Sequence, residues 1–227
     1  MIHIEYFTFN AFQERCCIVW DEGGNCAIID PGFYTTAERD SLYRLIEEKS
    51  LSVKGILLTH GHFDHIFGVA EAAGHFNVPI HMHPSDKVIL DEANPALCAA
   101  FGLKVPASLH DGNQTQSLIP AREGDTIEIG SMKFEVIETP GHTPGGVCYL
   151  ERNEKVLFSG DTLFAGSIGR TDNQWADYDA LMAGIFGKLM ELDGETDVIP
   201  GHGPTTSIAD ERMTNPFLMP FNEPFEE

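Results

Sequence analysis

The stretch Thr59-His60-Gly61-His62-Phe63-Asp64-His65 decides how this chain reads. From His60 to His65 it carries three imidazoles and one carboxylate in six residues. The apolar run Gly55-Ile56-Leu57-Leu58 before it reads as a short buried strand, and Ile66 to Ala73 after it reads as a helix. The cluster therefore lies on the turn leaving a strand end, where α/β proteins place their chemistry. Neutral imidazole together with carboxylate is a donor set suited to zinc and related divalent metals. The spacing fits two adjacent metals better than one. His60 and His62 share a face on an extended backbone, and Asp64 and His65 turn onto a second position as the helix begins. Solvated turns favour Gly, Asn, Asp and Ser, not three histidines.

The bulk properties narrow the rest. At 227 residues, 42% of them apolar and 15 of them Phe, the chain has the length and composition of a folded globular protein. No linker or internal repeat appears, so one domain over 1–227 is expected, with a C-terminal tail of about 207–227 packing on it. The formal net charge of −21 repels phosphate backbones and argues against nucleic acid as a partner. There is no run of 18 apolar residues to span a membrane. Met1 to Tyr6 lacks the basic and apolar regions of a secretory signal. The five Cys are odd in number and have no Cys-x-x-Cys spacing. Free buried thiols in a reducing cytoplasm are the expected state, and metal ligands must come from other residues.

Along the chain, residues 2–9 and 15–20 and Cys26 to Asp30 read as a three-stranded meander. A helix capped by Thr36 is expected to run to about Lys49, with Leu42, Leu45 and Ile46 inward. Strand 53–58, a helix over about 65–74 and a strand over 78–83 then predict an α/β layer with parallel pairing. Within 84–118, Ser85 is a candidate cap for a short helix and Pro95 a candidate start for another, and no period is visible from Lys104 to Leu118. Two hairpins follow, turning at Gly130-Ser131 and at Arg152-Asn153. A helix capped by Asp177 is expected over 178–192, with Leu181, Met182, Ile185, Phe186 and Leu189 on one face. A last strand at Val198-Ile199 and a helix after 206 complete the reading.

Three later segments repeat one pattern, in which a strand ends, Gly appears and a ligand-type residue follows. They are Glu138-Thr139-Pro140-Gly141-His142, Phe158-Ser159-Gly160-Asp161 and Val198-Ile199-Pro200-Gly201-His202. Glycine lets the backbone turn sharply and approach a metal closely. With the first cluster they supply five His and two Asp, enough for a dinuclear site.

In this order and context, His60, His62, Asp64, His65, His142, Asp161 and His202 resemble the metallo-β-lactamase superfamily, over nearly the whole chain. The resemblance implies a four-layer αβ/βα sandwich of two mixed β-sheets flanked by helices, with metal at one edge. It implies that His60, His62 and His142 hold one ion, that Asp64, His65 and His202 hold a second, and that Asp161 bridges them. Two divalent ions, zinc first and iron or manganese as alternatives, would lower the pKa of a shared water so that hydroxide attacks a carbonyl. Asp64 would be the catalytic carboxylate, orienting that nucleophile.

His62 stands where flavo-diiron relatives have Glu, and Asp161 where one major antibiotic-hydrolysing class has Cys. The run Gly160 to Asp172, with Gly169-Arg170-Thr171-Asp172, resembles the hydroxyacylglutathione hydrolase (glyoxalase II) branch, in particular its short single-domain relatives. That implies a small-molecule thioester substrate such as S-lactoylglutathione. Full-length glyoxalase II proteins carry a C-terminal helical region with basic residues for glutathione. Here 25 residues follow His202, with Arg212 as their sole cation. Arg170 is a candidate substrate contact, or else a structural partner of Asp172. The same run also resembles the persulfide dioxygenase branch, which uses one iron; a metal-binding scaffold without turnover is a third reading. His81 and His83 read as partly exposed strand residues and Trp175 as a candidate pocket wall. Phe217, Phe221 and Phe225, each after a Pro, give the tail a means of docking on the body or on a second subunit.

Overall fold

The computed structural model describes residues 1–107 and 118–219. The first half builds one sheet. Its elements are β1 (Ile2–Phe9), β2 (Glu14–Asp21), β3 (Asn25–Ile29), α1 (Thr36–Glu48), β4 (Ser52–Leu57), α2 (Phe63–Ile66), α3 (Val69–Phe76), β5 (Ile80–Met82), α4 (Asn94–Phe101) and β6 (Leu118–Pro120). The strands lie in the order β1-β2-β3-β4-β5-β6. The first three pair antiparallel and β3 to β6 pair parallel. The second half adds β7 (Thr126–Ile129), β8 (Met132–Glu138), β9 (Val147–Glu151), β10 (Val156–Gly160), β11 (Leu163–Phe164), β12 (Ser167–Ile168), α5 (Tyr178–Gly187), β13 (Asp197–Pro200), β14 (Thr206–Ser207) and α6 (Ile208–Thr214). The second sheet runs β14-β13-β10-β9-β8-β7, and its one parallel pair is β10 with β13. A small hairpin, β11-β12, stands apart.

The period of two along a strand explains the layering. On β2, Cys16 and Ile18 face one way and pack with Leu42 and Ile46 of α1 and Val69, Ala72 and Ala73 of α3. Cys17 and Val19 face the other way and meet Phe134, Tyr149 and Phe158 of the second sheet. On β9 the same alternation sends Tyr149 inward and Cys148 and Leu150 outward onto Leu181, Ile185 and Ile208 of α5 and α6. Strands buried on both faces read as near-continuous apolar runs, as Cys16 to Val19 does. The result is helix, sheet, sheet, helix: two mixed sheets flanked by helices, as the family resemblance implied.

Several local expectations change. Thr35, not Thr36, caps α1: its Oγ1 accepts from Glu38 N at 3.2 Å, and Glu38 Oε2 accepts from Thr35 N at 2.8 Å. This is a reciprocal capping box. The helix after the His-rich turn is two helices, α2 and α3, parted around Gly68. A Cβ at Gly68 would lie 2.5 Å from the Phe33 ring, and Gly68 N donates to Pro31 O. The chain breaks there to close on the loop after β3. His83, not Ser85, caps the helical turn Pro84–Asp86: its Nδ1 accepts from Ser85 N. His83 is buried and donates from Nε2 to Glu138 at 2.9 Å, so it is not a partly exposed strand residue. α5 ends at Gly187, where helix propensity is low. Leu181, Ile185 and Leu189 are buried as expected, but Phe186 is exposed. Strands β6, β11, β12 and β14 were not foreseen. All five Cys are free and buried. His110, most of the Lys104 to Leu118 stretch, and Phe221 and Phe225 of the tail lie outside the described residues.

One bond between the sheets supports the site from below. Tyr149 Oη, buried in the second sheet, donates to Leu58 O at the end of β4 at 2.8 Å. Tyr149→Phe is expected to leave that buried carbonyl without its donor and to cost about 1–3 kcal/mol, read from urea unfolding. An unchanged unfolding midpoint would contradict this role.

Candidate metal centre

Five strand ends meet at one edge of the sandwich. β3 leads to Asp30, β4 to His60, β8 to His142, β10 to Asp161 and β13 to His202. Two trios of side chains form there. One is His60, His62 and His142; the other is Asp64, His65 and His202. Within each trio the candidate ligand atoms all lie within 4.8 Å of one another. Asp161 stands between them. Its Oδ2 is 3.5 Å from His142 Nε2 and 3.6 Å from His202 Nε2, and its Oδ1 is 3.5 Å from His65 Nε2. The structure thus brings together all seven residues expected from the sequence.

The rings are aimed by what holds their far nitrogens. His142 Nδ1 donates to Arg170 O at 2.8 Å, and His202 Nδ1 donates to Phe12 O at 3.1 Å. His65 Nδ1 donates to Asp30 Oδ2 at 3.1 Å. Thr59 Oγ1 gives its proton to the same Asp30 oxygen at 2.5 Å, so it accepts from His60 Nδ1 at 3.1 Å. With Nδ1 committed to these partners, four rings aim Nε2 at the centre. Such outer partners fix tautomer and orientation in metal sites. Asp30, His60 and His65 also cluster, but these bonds make Asp30 an orienting group.

The electrostatics ask for cations. Burial lowers His60 well below the usual imidazole range and pushes His62 down to about 3, so both are neutral donors. Burial also works to lower His65, yet Asp161 and Asp64 outweigh it and hold His65 well above that range. Burial works to raise Asp161, and His65 and His202 outweigh it and hold it well below the carboxylate range. Positive charge thus gathers beside Asp64 and Asp161, which is where a metal would displace protons.

The atoms themselves test the fit. His60 Nε2, His142 Nε2 and Asp161 Oδ1 are buried with no hydrogen-bond partner. His65 Nε2 faces His202 Nε2 at 3.2 Å, where the charge on His65 leaves a proton for a metal to displace. Orphaned buried polar atoms are costly, and divalent ions between these donors would satisfy all of them.

Residue matching agrees with the geometry. The profile of the metallo-beta-lactamase superfamily matches residues 10–204. The chain belongs to this superfamily of metallo-hydrolases. It is 39% identical over 218 residues to the hydroxyacylglutathione hydrolase GloC of Haemophilus influenzae, covering 96% of this chain and 98% of that protein. Among solved structures, the BLEG-1 B3 metallo-beta-lactamase superposes with a TM-score of 0.85 at 34% identity, covering 96% of this chain and 100% of that one. TTHA1623 in a di-iron-bound form gives 0.80 at 37% identity, covering 94% and 100%. ETHE1 from Myxococcus xanthus is more distant, with a TM-score of 0.73 at 25% identity, covering 94% and 83%.

Arg170 reaches the site through its backbone only. Its side chain is 81% exposed and paired with Asp172 at 3.0 Å. The sequence reading missed Asp30, Thr59 and Asp86. Asp30 carried a signal, since it ends a strand just before Pro31-Gly32.

Gly201 offers a direct test of the packing. A Cβ there would lie 2.5 Å from Asp161 Oδ1 and 2.7 Å from His65 Cε1. Gly201→Ala is expected to lower the metal bound per chain in elemental analysis while far-UV circular dichroism stays unchanged. Full metal content would count against Asp161 and His65 as ligands.

Proposed function

We propose that this chain is a dinuclear metal-dependent thioester hydrolase of the hydroxyacylglutathione hydrolase type. His60, His62 and His142 would hold one ion and Asp64, His65 and His202 the other, with Asp161 available to both. The observation that carries this reading is the meeting of two complete trios at one carboxylate. A near full-length relative named for that activity supports it.

Divalent ions held by these residues supply Lewis acidity, lowering the pKa of water and polarising a carbonyl. The chain does the rest. Asp161 offers an oxygen toward each trio, which suits a shared ligand. Asp64 Oδ2 lies 3.4 Å from His202 Nε2 and 3.9 Å from His65 Nε2. Although burial works to raise it, those imidazoles keep this carboxylate ionised. It is therefore a charged acceptor placed to orient water. Burial raises all five thiols, so no Cys serves as nucleophile. Water is the attacking group in this reading. A thioester suits such a site, because a thiolate leaves readily and needs little help from a general acid.

The thiol carrier is a separate question. Arg15 donates to Pro200 O and Gly203 O, Arg212 to Met190 O and Leu192 O, and Arg170 to Asp172. Arg15 and Arg212 are held by backbone carbonyls, so a carrier less anionic than glutathione belongs in the panel beside it. Zinc is the first candidate metal, with iron and manganese as alternatives.

The test is a panel of acyl thioesters, S-lactoylglutathione among them, assayed for thiol release by protein of known metal content. Hydrolysis is expected, with a loss on the order of 10²-fold or more in His60→Ala, the upper scale for losing even an outer partner of a ligand. Asp161→Ala is expected to lose both ions and His202→Ala one, by elemental analysis. One iron per chain with oxygen uptake on a glutathione persulfide, and no thioester turnover, would support the persulfide dioxygenase reading instead. Metal binding without turnover of either substrate would leave the scaffold reading.

A further inference from the structure

Asp86 is buried with no exposed surface, although it belongs to neither trio. It ends the helical turn Pro84–Asp86, between β5 and α4. Its Oδ2 accepts from Gly61 N at 2.7 Å and from Thr143 Oγ1 at 2.9 Å, and its Oδ1 accepts from Gly145 N at 2.6 Å. Gly61 is the residue between His60 and His62. Thr143 follows His142, and Gly145 closes the same loop. One carboxylate therefore ties the loop that presents two ligands of the first trio to the loop that presents the third.

The fit around it is close. A Cβ on Gly145 would lie 2.7 Å from Asp86 N and 2.8 Å from Asp86 Oδ1, and one on Gly61 would lie 3.2 Å from Asp86 Cβ. Buried Asn94 completes the clamp by donating from Nδ2 to Gly61 O at 2.8 Å. Among the described residues no hydrogen bond joins Asp86 to the second trio, which is held by other partners. His65 is held by Asp30 and His202 by Phe12 O. Asp30 also reaches His60 through Thr59, so Asp30 serves both trios and Asp86 serves the first.

We propose that Asp86 is a positioning residue for the first metal position alone, setting the separation of His142 from His60 and His62. This rests on the dinuclear reading above. The physical basis is that hydrogen bonds to an ionised acceptor are strong and directional. Metal affinity depends on outer contacts that hold ligands in register. Asp86→Asn keeps the volume, but it turns one acceptor into a donor facing an N–H or hydroxyl donor. Thr143→Val removes one of the three donors and leaves the two backbone bonds.

The experiment is chelator competition on zinc-loaded and cobalt-loaded protein, with ions per chain counted and the cobalt visible spectrum followed. His60→Ala and His202→Ala mark the first and second positions. Asp86→Asn is expected to release the ion that His60→Ala removes at about 10–100-fold lower chelator strength, while the other ion leaves as in wild type. Thr143→Val is expected to shift the same ion by a smaller factor; if Asp86→Asn does not fold, this variant decides. Wild-type affinity at both positions, or equal weakening of both, would overturn the proposal, the second result marking a general structural role. A wild-type chain that binds one ion refutes the dinuclear reading separately. Asp86 then keeps its role only if Asp86→Asn weakens that ion and His60→Ala removes it. A wild-type chain that binds none overturns both.

Discussion

The structure turns on a concentration of buried imidazoles and carboxylates at one edge of the sandwich. His60 Nε2, His142 Nε2 and Asp161 Oδ1 are buried without partners, and two further imidazole nitrogens face each other at 3.2 Å. The opposite nitrogens of four rings are already bonded, so these rings are held facing the centre. A fold that buries such an arrangement gives up stability to do so. Bound cations return it, because ligand binding to the native state alone is folding free energy.

The rest of the architecture serves to bring those atoms together. The strand ends that supply them come from both sheets: β3 and β4 from the first, and β8, β10 and β13 from the second. The apolar layer between the sheets fixes their distance, and the Tyr149 to Leu58 bond crosses it beneath the His-rich turn. Buried carboxylates then set the loops. Asp30 adopts a left-handed backbone at φ 49° and accepts from Thr59 N, Thr59 Oγ1 and His65 Nδ1. Asp86 joins the His60 and His142 loops. Acidic residues at the strand ends thus act in two ways, as proposed ligands facing inward and as orienting groups one layer out.

The seven inward residues were legible in the sequence because each sits in a local signature: a His-rich run, or a Gly at a strand end. The orienting layer was not. Asp30 and Asp86 act across 35 and 59 residues of chain, on His65 and Gly145, and no spacing rule connects such positions. The sequence marks β2 and β9 as strands, but not which sheet each face would meet. Errors at element ends have local causes. Thr35 and Thr36 are chemically equivalent caps, and only the position of Glu38 three residues after Thr35 separates them. The break at Gly68 depends on Phe33, which is 35 residues earlier in the chain. His83 looked exposed by alternation on its strand, and it is buried because Glu138 of the other sheet receives its proton.

If the edge of the sandwich is one shared site, two metal ions held there sense each other through Asp161. The most direct measurement is the electron paramagnetic resonance of protein loaded with Mn(II) to saturation, with the ions per chain counted in the same sample. Two ions per chain with an exchange-coupled spectrum is the expected result. One ion per chain, or two ions with independent six-line spectra, would contradict a common carboxylate between the trios.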